Sequence, residues 1–240
     1  MPAENSAKPP HTGKTDAMRW VNLPLTDYRQ ALEWQRHLVE ARIAGTIDDD
    51  VVLVVEHPPV FTLGRRGGLE NLVCTRDMLE QRGIEVVQVE RGGNITYHGP
   101  GQLVAYPIFN LKKSGLGVAQ FVSQLEQVMI DTAARWDVTA LRDSKNHGVW
   151  VGGQKLGSIG ISVRRGISFH GLALNVNTDL EPFGWINPCG LTGVTMTSMA
   201  QQVGQPISLA DLGKAFRTRF EAVMNRTSTS TSIDQLTMAG

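Results

Sequence analysis

The chain has 240 residues, 41% of them apolar and 19% charged, and its 23 basic side chains balance its 23 acidic ones. That length suits one large domain or two small ones with a sizeable core, and zero net charge supplies no overall basic field for nucleic acid or an anionic membrane surface. The longest clean apolar run, Val51 to Val55, is far too short to cross a bilayer, and two cysteines, Cys74 and Cys189, point to a reducing compartment, the cytoplasm, and not to a disulfide framework.

Residues 1–17 are rich in Pro, Lys, Thr and Ala and carry no secretory pattern, so they read as a disordered tail. A helix is expected over Asp27 to Ala44 behind a Thr26 cap. Strands follow at Val51 to Glu56 and Val60 to Leu63, then a short helix at Arg76 to Arg82 closed by Gly83. Further strands are expected at Ile84 to Glu90 and Gln102 to Leu111. The clearest helix carries Val118, Phe121, Val122, Leu125, Val128, Met129, Thr132 and Trp136 on one stripe. Three strands then lie close together, at Gly148 to Val151, Lys155 to Arg164 and Ile167 to Val176. Their glycine turns suit antiparallel hairpins, since parallel crossovers need a dozen or more connecting residues. A last helix opens at Ser208 in capping-box register with Asp211, and carries Leu212, Phe216, Phe220 and Val223 on one face. Residues 227–240, with their Thr/Ser run, read as a second disordered tail. The expectation is one catalytic-sized domain over 18–226 of α+β class.

Reactive side chains and glycines gather in three places. The first is the loop Arg91-Gly92-Gly93-Asn94-Ile95-Thr96-Tyr97-His98-Gly99-Pro100-Gly101-Gln102 between two strands. Its glycines let a ligand approach the main chain, and its side chains are a dense set of donors. Neither the phosphate-loop order nor the dinucleotide fingerprint is present. A structural glycine-rich connection with a hydrogen-bonded His98 is the alternative. The second is Gly152-Gly153-Gln154-Lys155-Leu156-Gly157-Ser158-Ile159-Gly160, where Lys155 has no acidic neighbour in sequence between Asp143 and Asp179. Such a lysine serves as a base or as a cation beside a thiolate, or else sits on the surface at a hairpin turn. The third is Asn187-Pro188-Cys189-Gly190, where Pro and Gly place the cysteine in a tight turn. A positioned thiol near a cation is a nucleophile, whereas a buried cysteine is a small hydrophobe, which fits Cys74 better. His98, His147 and His170 lack metal-ligand spacing, so no metal is expected.

Together these segments resemble the lipoyl(octanoyl) transferases of the biotin/lipoate ligase superfamily. The carrying stretches are residues 91–106, 153–160, 169–176 and 186–190, in the family's order and over essentially the whole folded region. The resemblance implies a mixed, largely antiparallel sheet packed with helices, as in the biotin/lipoate protein ligase catalytic domain. It implies a catalytic pair of Cys189 as nucleophile and Lys155 as its partner. Substrate-binding residues would be Arg91, Gly92, Gly93, Thr96, Tyr97, His98 and Gly99 in the first stretch. To these it adds Ser158, Ile159 and Gly160 in the second, and His170, Gly171 and Ala173 in the third. The implied reaction moves an octanoyl group from octanoyl-acyl carrier protein to a lysine of a lipoyl domain, the first step of endogenous protein lipoylation. It runs through a cysteine thioester and needs no cofactor.

Acceptors would be the lipoyl domains of 2-oxoacid dehydrogenase complexes and the glycine cleavage H protein. A basic rim for the acidic carrier is expected among Arg65, Arg66, Arg91, Lys112, Lys113, Arg164 and Arg165, and a charge-balanced surface suggests a monomer. An ATP-using ligase is the nearest rival and would not need Cys189. An ATP-free relay from another lipoyl-type protein, a non-catalytic docking module and a thioesterase are the other readings.

Overall fold

The computed structural model describes residues 17–143, 146–187 and 194–237. In chain order the strands are β1 (Met18–Leu25), β2 (Asp50–Glu56), β3 (Val60–Leu63), β4 (Glu85–Gln88), β5 (Ile95–His98), β6 (Gln102–Ile108), β7 (Leu141–Arg142), β8 (Val149–Val151), β9 (Gln154–Arg164), β10 (Ile167–Asn175) and β11 (Ser228–Ser230). The helices are α1 (Tyr28–Ala44), α2 (Arg76–Gln81), α3 (Val118–Ala133), α4 (Met199–Val203), α5 (Leu209–Met224) and α6 (Ile233–Thr237).

One sheet has eight strands in the order β11-β1-β2-β6-β10-β9-β8-β7, and a second has three in the order β4-β3-β5. Strands β1 and β2 run parallel, joined over one face by α1, whereas β2-β6-β10-β9-β8-β7 are antiparallel throughout. The fold is the expected mixed α+β type.

Sequence explains the central strands directly. On β2 and β6, Val52, Leu103 and Ala105 face one layer while Val51, Leu53, Val104 and Tyr106 face the other. A strand covered on both sides must be apolar at every position, and only period-two alternation sorts its side chains between layers. On the first face lie α3 and α5, whose Phe121, Leu125, Phe216 and Phe220 meet Trp20 and Phe109. On the second lies α1, burying Leu38 and Val39 against Val55 and Phe169. Phe61, Leu79, Ile95, Tyr97 and Phe183 form a separate core under the three-stranded sheet.

Three local expectations need correcting. The α1 cap is Asp27, whose carboxylate accepts from the amides of Arg29 and Gln30, because Thr26 turns its hydroxyl to the Pro24 carbonyl instead. Residues 18–25, where no element is expected from sequence, form β1. The C-terminal segment is not a tail: Ser228–Ser230 pairs in parallel with Met18–Trp20, and α6 buries Leu236 against the α1 layer. Its serines are held by Arg217 and Glu221 of α5, a polar clasp that composition alone does not reveal.

Candidate active site

A cavity of about 60 Å³ opens where the loop before β5 crosses β9 and β10. Glycine makes that crossing possible. Gly92 donates its amide to the Ile161 carbonyl at 2.9 Å, and a Cβ on Gly160 would stand 2.8 Å from the Gly92 oxygen. Arg91 is buried and its guanidinium donates to the carbonyl and hydroxyl of Thr62, at 2.6 and 2.8 Å. It therefore locks this loop to β3 and is not part of an exposed rim. Arg65 and Arg66 are exposed instead, and their amides donate to the Arg91 and Gly93 carbonyls, next to the cavity-lining loop.

Lys155 is buried, lines the cavity, and holds its Nζ 5.3 Å from the centre of the Trp150 ring. Its backbone is fixed by the chain that returns after residue 193: Lys155 N–H donates to Thr195 and Thr197 N–H to Lys155. Met196 forms the resulting bridge and also lines the cavity. Gly148 crosses the lysine stem so closely that a Cβ there would lie 3.0 Å from Lys155 Cε. Cys189, with Pro188 and Gly190, lies outside the described residues. Cys74 is partly buried against the small core, away from the cavity lining.

The inner wall is a set of neutral aromatic and imidazole groups. His98 donates Nδ1–H to Gln102 Oε1 at 2.7 Å, because Gln102 spends its own N–H groups on the Tyr97 carbonyl and Asn175 Oδ1. Asn175 donates in turn to the Thr197 carbonyl, so this chain of bonds reaches the segment that holds Lys155. His57 donates Nδ1–H to the Thr26 carbonyl and accepts the Tyr106 hydroxyl at Nε2. Burial pushes His98 down to about 3 and His57 to about 4, and raises Tyr28 to about 12 and Tyr106 well above its ordinary value. At pH 7 all four are uncharged.

His170 lines the same wall with φ +55, in the left-handed region that a non-glycine residue rarely occupies. Its amide donates to Gln35 Oε1 on α1, and its Nε2 stands 3.8 Å from Glu90 Oε2. That separation orients the ring without satisfying it as a hydrogen bond. Burial lowers the His170 pKa, and the His170 ring together with Arg36 holds the Glu90 carboxyl well below the usual carboxylate range.

Of the residues expected from sequence, Gly93, Thr96, Ser158, Ile159, Gly171 and Ala173 also line the cavity, whereas Gly92 and Gly99 do not. Tyr97 turns the other way, into the core with Phe61 and Phe183. Tyr28, Val104 and Tyr106 line the wall without having been expected, since nothing local marks the first residue of a helix or a buried strand position as a pocket wall. Among the described residues no group of three His, Cys, Asp or Glu side chains could hold a metal ion, and no helix is long and apolar enough to cross a membrane. The arrangement offers a narrow, largely apolar slot with one buried amine at its edge. A filled ligand site normally needs a few hundred Å³, so a ligand must part these walls.

Residues 27–221 match the family described as the lipoyl protein ligase A/B catalytic domain. The octanoyltransferase of Desulfotalea psychrophila is 52% identical over 196 residues, covering 81% of this chain and 88% of that one. That of Syntrophobacter fumaroxidans is 45% identical over 206 residues, covering 86% and 90%. Among solved structures, an ATP-bound lipoate-protein ligase A superposes with a TM-score of 0.71 at 13% identity, covering 92% of this chain and 93% of that one. A bipartite lipoate protein ligase from Thermoplasma acidophilum, described with its E2 lipoyl domain, gives 0.69 at 13% identity, covering 94% and 91%. At such identity these two show the fold alone.

Proposed function

We infer the reaction from one premise: the chain belongs to the lipoyl protein ligase A/B catalytic-domain family and is an acyltransferase, its relatives at 52% and 45% identity being octanoyltransferases. The reading is transfer of an octanoyl group from acyl carrier protein to a lysine of a lipoyl domain, through a thioester on Cys189. The observation that carries it is the pairing of Lys155 with Thr195 and Thr197. The strand edge that buries the amine is thereby tied to the segment bearing the cysteine, six residues upstream of Thr195 in sequence.

In this scheme Lys155, as ammonium, favours the Cys189 thiolate by charge. The thiolate adds to the carrier thioester carbonyl, and the departing carrier thiolate takes a proton from Lys155. The acceptor lysine enters as a neutral amine, its ammonium proton having passed to solvent. It attacks the acyl-enzyme, Cys189 leaves as thiolate, and the amine proton returns to Lys155. The ion pair is restored, and ATP has no part because a thioester is already activated. Exposed Arg65 and Arg66, bonded through their amides to the cavity-lining loop, suit an acidic carrier. Lipoyl domains of 2-oxoacid dehydrogenase complexes and the glycine cleavage H protein are the proposed acceptors, with the enzyme a cytoplasmic monomer.

Intact-protein mass spectrometry with octanoyl-loaded carrier, followed by an apo lipoyl domain, tests this. The expected result is a hydroxylamine-labile adduct on Cys189 that passes to the acceptor lysine without ATP and is absent from Cys189→Ala. Acylation that requires ATP and free octanoate, or an adduct mapped to Cys74, would sink the reading.

A further inference from the structure

The cavity runs along two paired strands, lined by Ser158 to Gly160 of β9 and by His170 to Ala173 of β10. Ser158 stands opposite Ala173, and Ile161 opposite His170. These two rungs are three residues apart, about 10 Å along a strand. An extended acyl chain advances about 1.3 Å per carbon, so eight carbons also span about 10 Å. Lys155 lies three residues beyond Ser158, at the end away from His170. Lys155 lines the same cavity as Ser158, so a chain with its carbonyl at the Ser158 rung, on the Lys155 side, brings its methyl end to His170.

That end is closed and stiff. The Gly92 backbone covers Gly160 and is bonded to Ile161. His170 breaks the alternation of its strand through its φ of +55, which Gln35 stabilises from α1 through the His170 amide. Its ring stacks on Phe169 with centroids 4.8 Å apart and has the Glu90 carboxylate behind it, itself gripped by Arg36 through two bonds of 3.1 and 3.0 Å. The imidazole is 1% exposed, and neither of its nitrogens has a hydrogen-bond partner among the described residues. A strained backbone and an unpaired buried ring on a cavity wall are features that packing alone does not maintain.

We propose that His170 is the stop of the acyl channel and sets the length of chain the enzyme accepts. The proposal rests on the acyl transfer described above. Each methylene moved from water into an apolar channel improves binding roughly fourfold. Beyond eight carbons the chain meets a pinned ring whose unpaired nitrogens return nothing for the contact, so the gain stops there.

The test is the rate of Cys189 acylation from carriers loaded with six-, eight-, ten- or twelve-carbon chains, read as ratios by mass spectrometry. His170→Gly removes the ring and suits the left-handed backbone, so the fold is kept. The ten-to-eight-carbon ratio should rise about fifteenfold, the worth of two more buried methylenes. His170→Trp should instead raise the six-to-eight-carbon ratio. Ratios taken within one preparation do not depend on the fraction folded. An unchanged length profile in both variants, with wild type still forming its octanoyl adduct, would overturn the role of His170 alone. No adduct from any chain on wild type would overturn this proposal and the acyl-transfer reading together.

Discussion

Acidification should unfold this protein partly through His98, and the size of the effect follows from its burial. The folded pKa is about 3 against an ordinary 6.5, because enclosure of the ring and the neighbouring His57 outweigh the Gln102 hydrogen bond, which by itself favours the protonated form. The unfolded chain therefore binds a proton below about pH 6.5 that the folded chain refuses until about pH 3. The stabilisation is complete above pH 6.5 and is lost as pH falls through that window. At pH 4.5, two units below the unfolded value, the loss is about 3 kcal/mol, at about 1.4 kcal/mol per unit. His57, at about 4, adds a contribution of the same sign over nearly the same range. Urea denaturation followed by tryptophan fluorescence at pH 7 and 4.5 measures the difference. His98→Asn keeps an N–H for Gln102 but cannot titrate, so its loss between the two pH values should be smaller by about 3 kcal/mol. A variant that loses as much stability as wild type would refute the assignment of a neutral, acid-resistant His98.

Two further substitutions probe the frame and the lysine wall. Asp50 receives Arg42 at 2.5 Å, binds Arg226 as well, and accepts the Asn110 amide, so Asp50→Ala strands a buried guanidinium. Its cost should be about 3–5 kcal/mol by urea titration, against under about 1 kcal/mol for Asp49→Ala, whose ion pair with Arg19 is half-exposed. Gly148→Ala should lower the melting temperature and slow single-turnover transfer together. The new Cβ would lie 2.3 Å from the Gly157 oxygen beside the Lys155 stem, at a backbone φ of +116 that side chains resist.

Much of the frame could be read without coordinates, because its signals are local. The unbroken apolar runs of β2 and β6, the α3 stripe and the Ser208 cap each state their own geometry within a few residues. Arg91, His98 and Lys155 could be singled out for the same reason, since each sits in a short stretch dense in glycine and reactive side chains, whereas His170 is marked only by the family resemblance.

Tertiary structure decided which of these side chains share a wall. Tyr97 and His98 are neighbours in sequence, yet strand alternation sends one into the small core and the other to the cavity. Tyr28, His57, His98 and Tyr106 meet across four separate segments, and their neutrality at pH 7 follows from shared burial that no single segment encodes. The left-handed turn at His170 exists because Gln35 reaches it from α1, 135 residues away in sequence. Likewise residues 228–237, too polar to form a core, are ordered because Arg217 and Glu221 supply the hydrogen bonds and β1 supplies the edge. Sequence thus determines the elements, whose periodicity acts over a few residues; the site depends on pairings across the chain, whose energies appear only once the chain has folded.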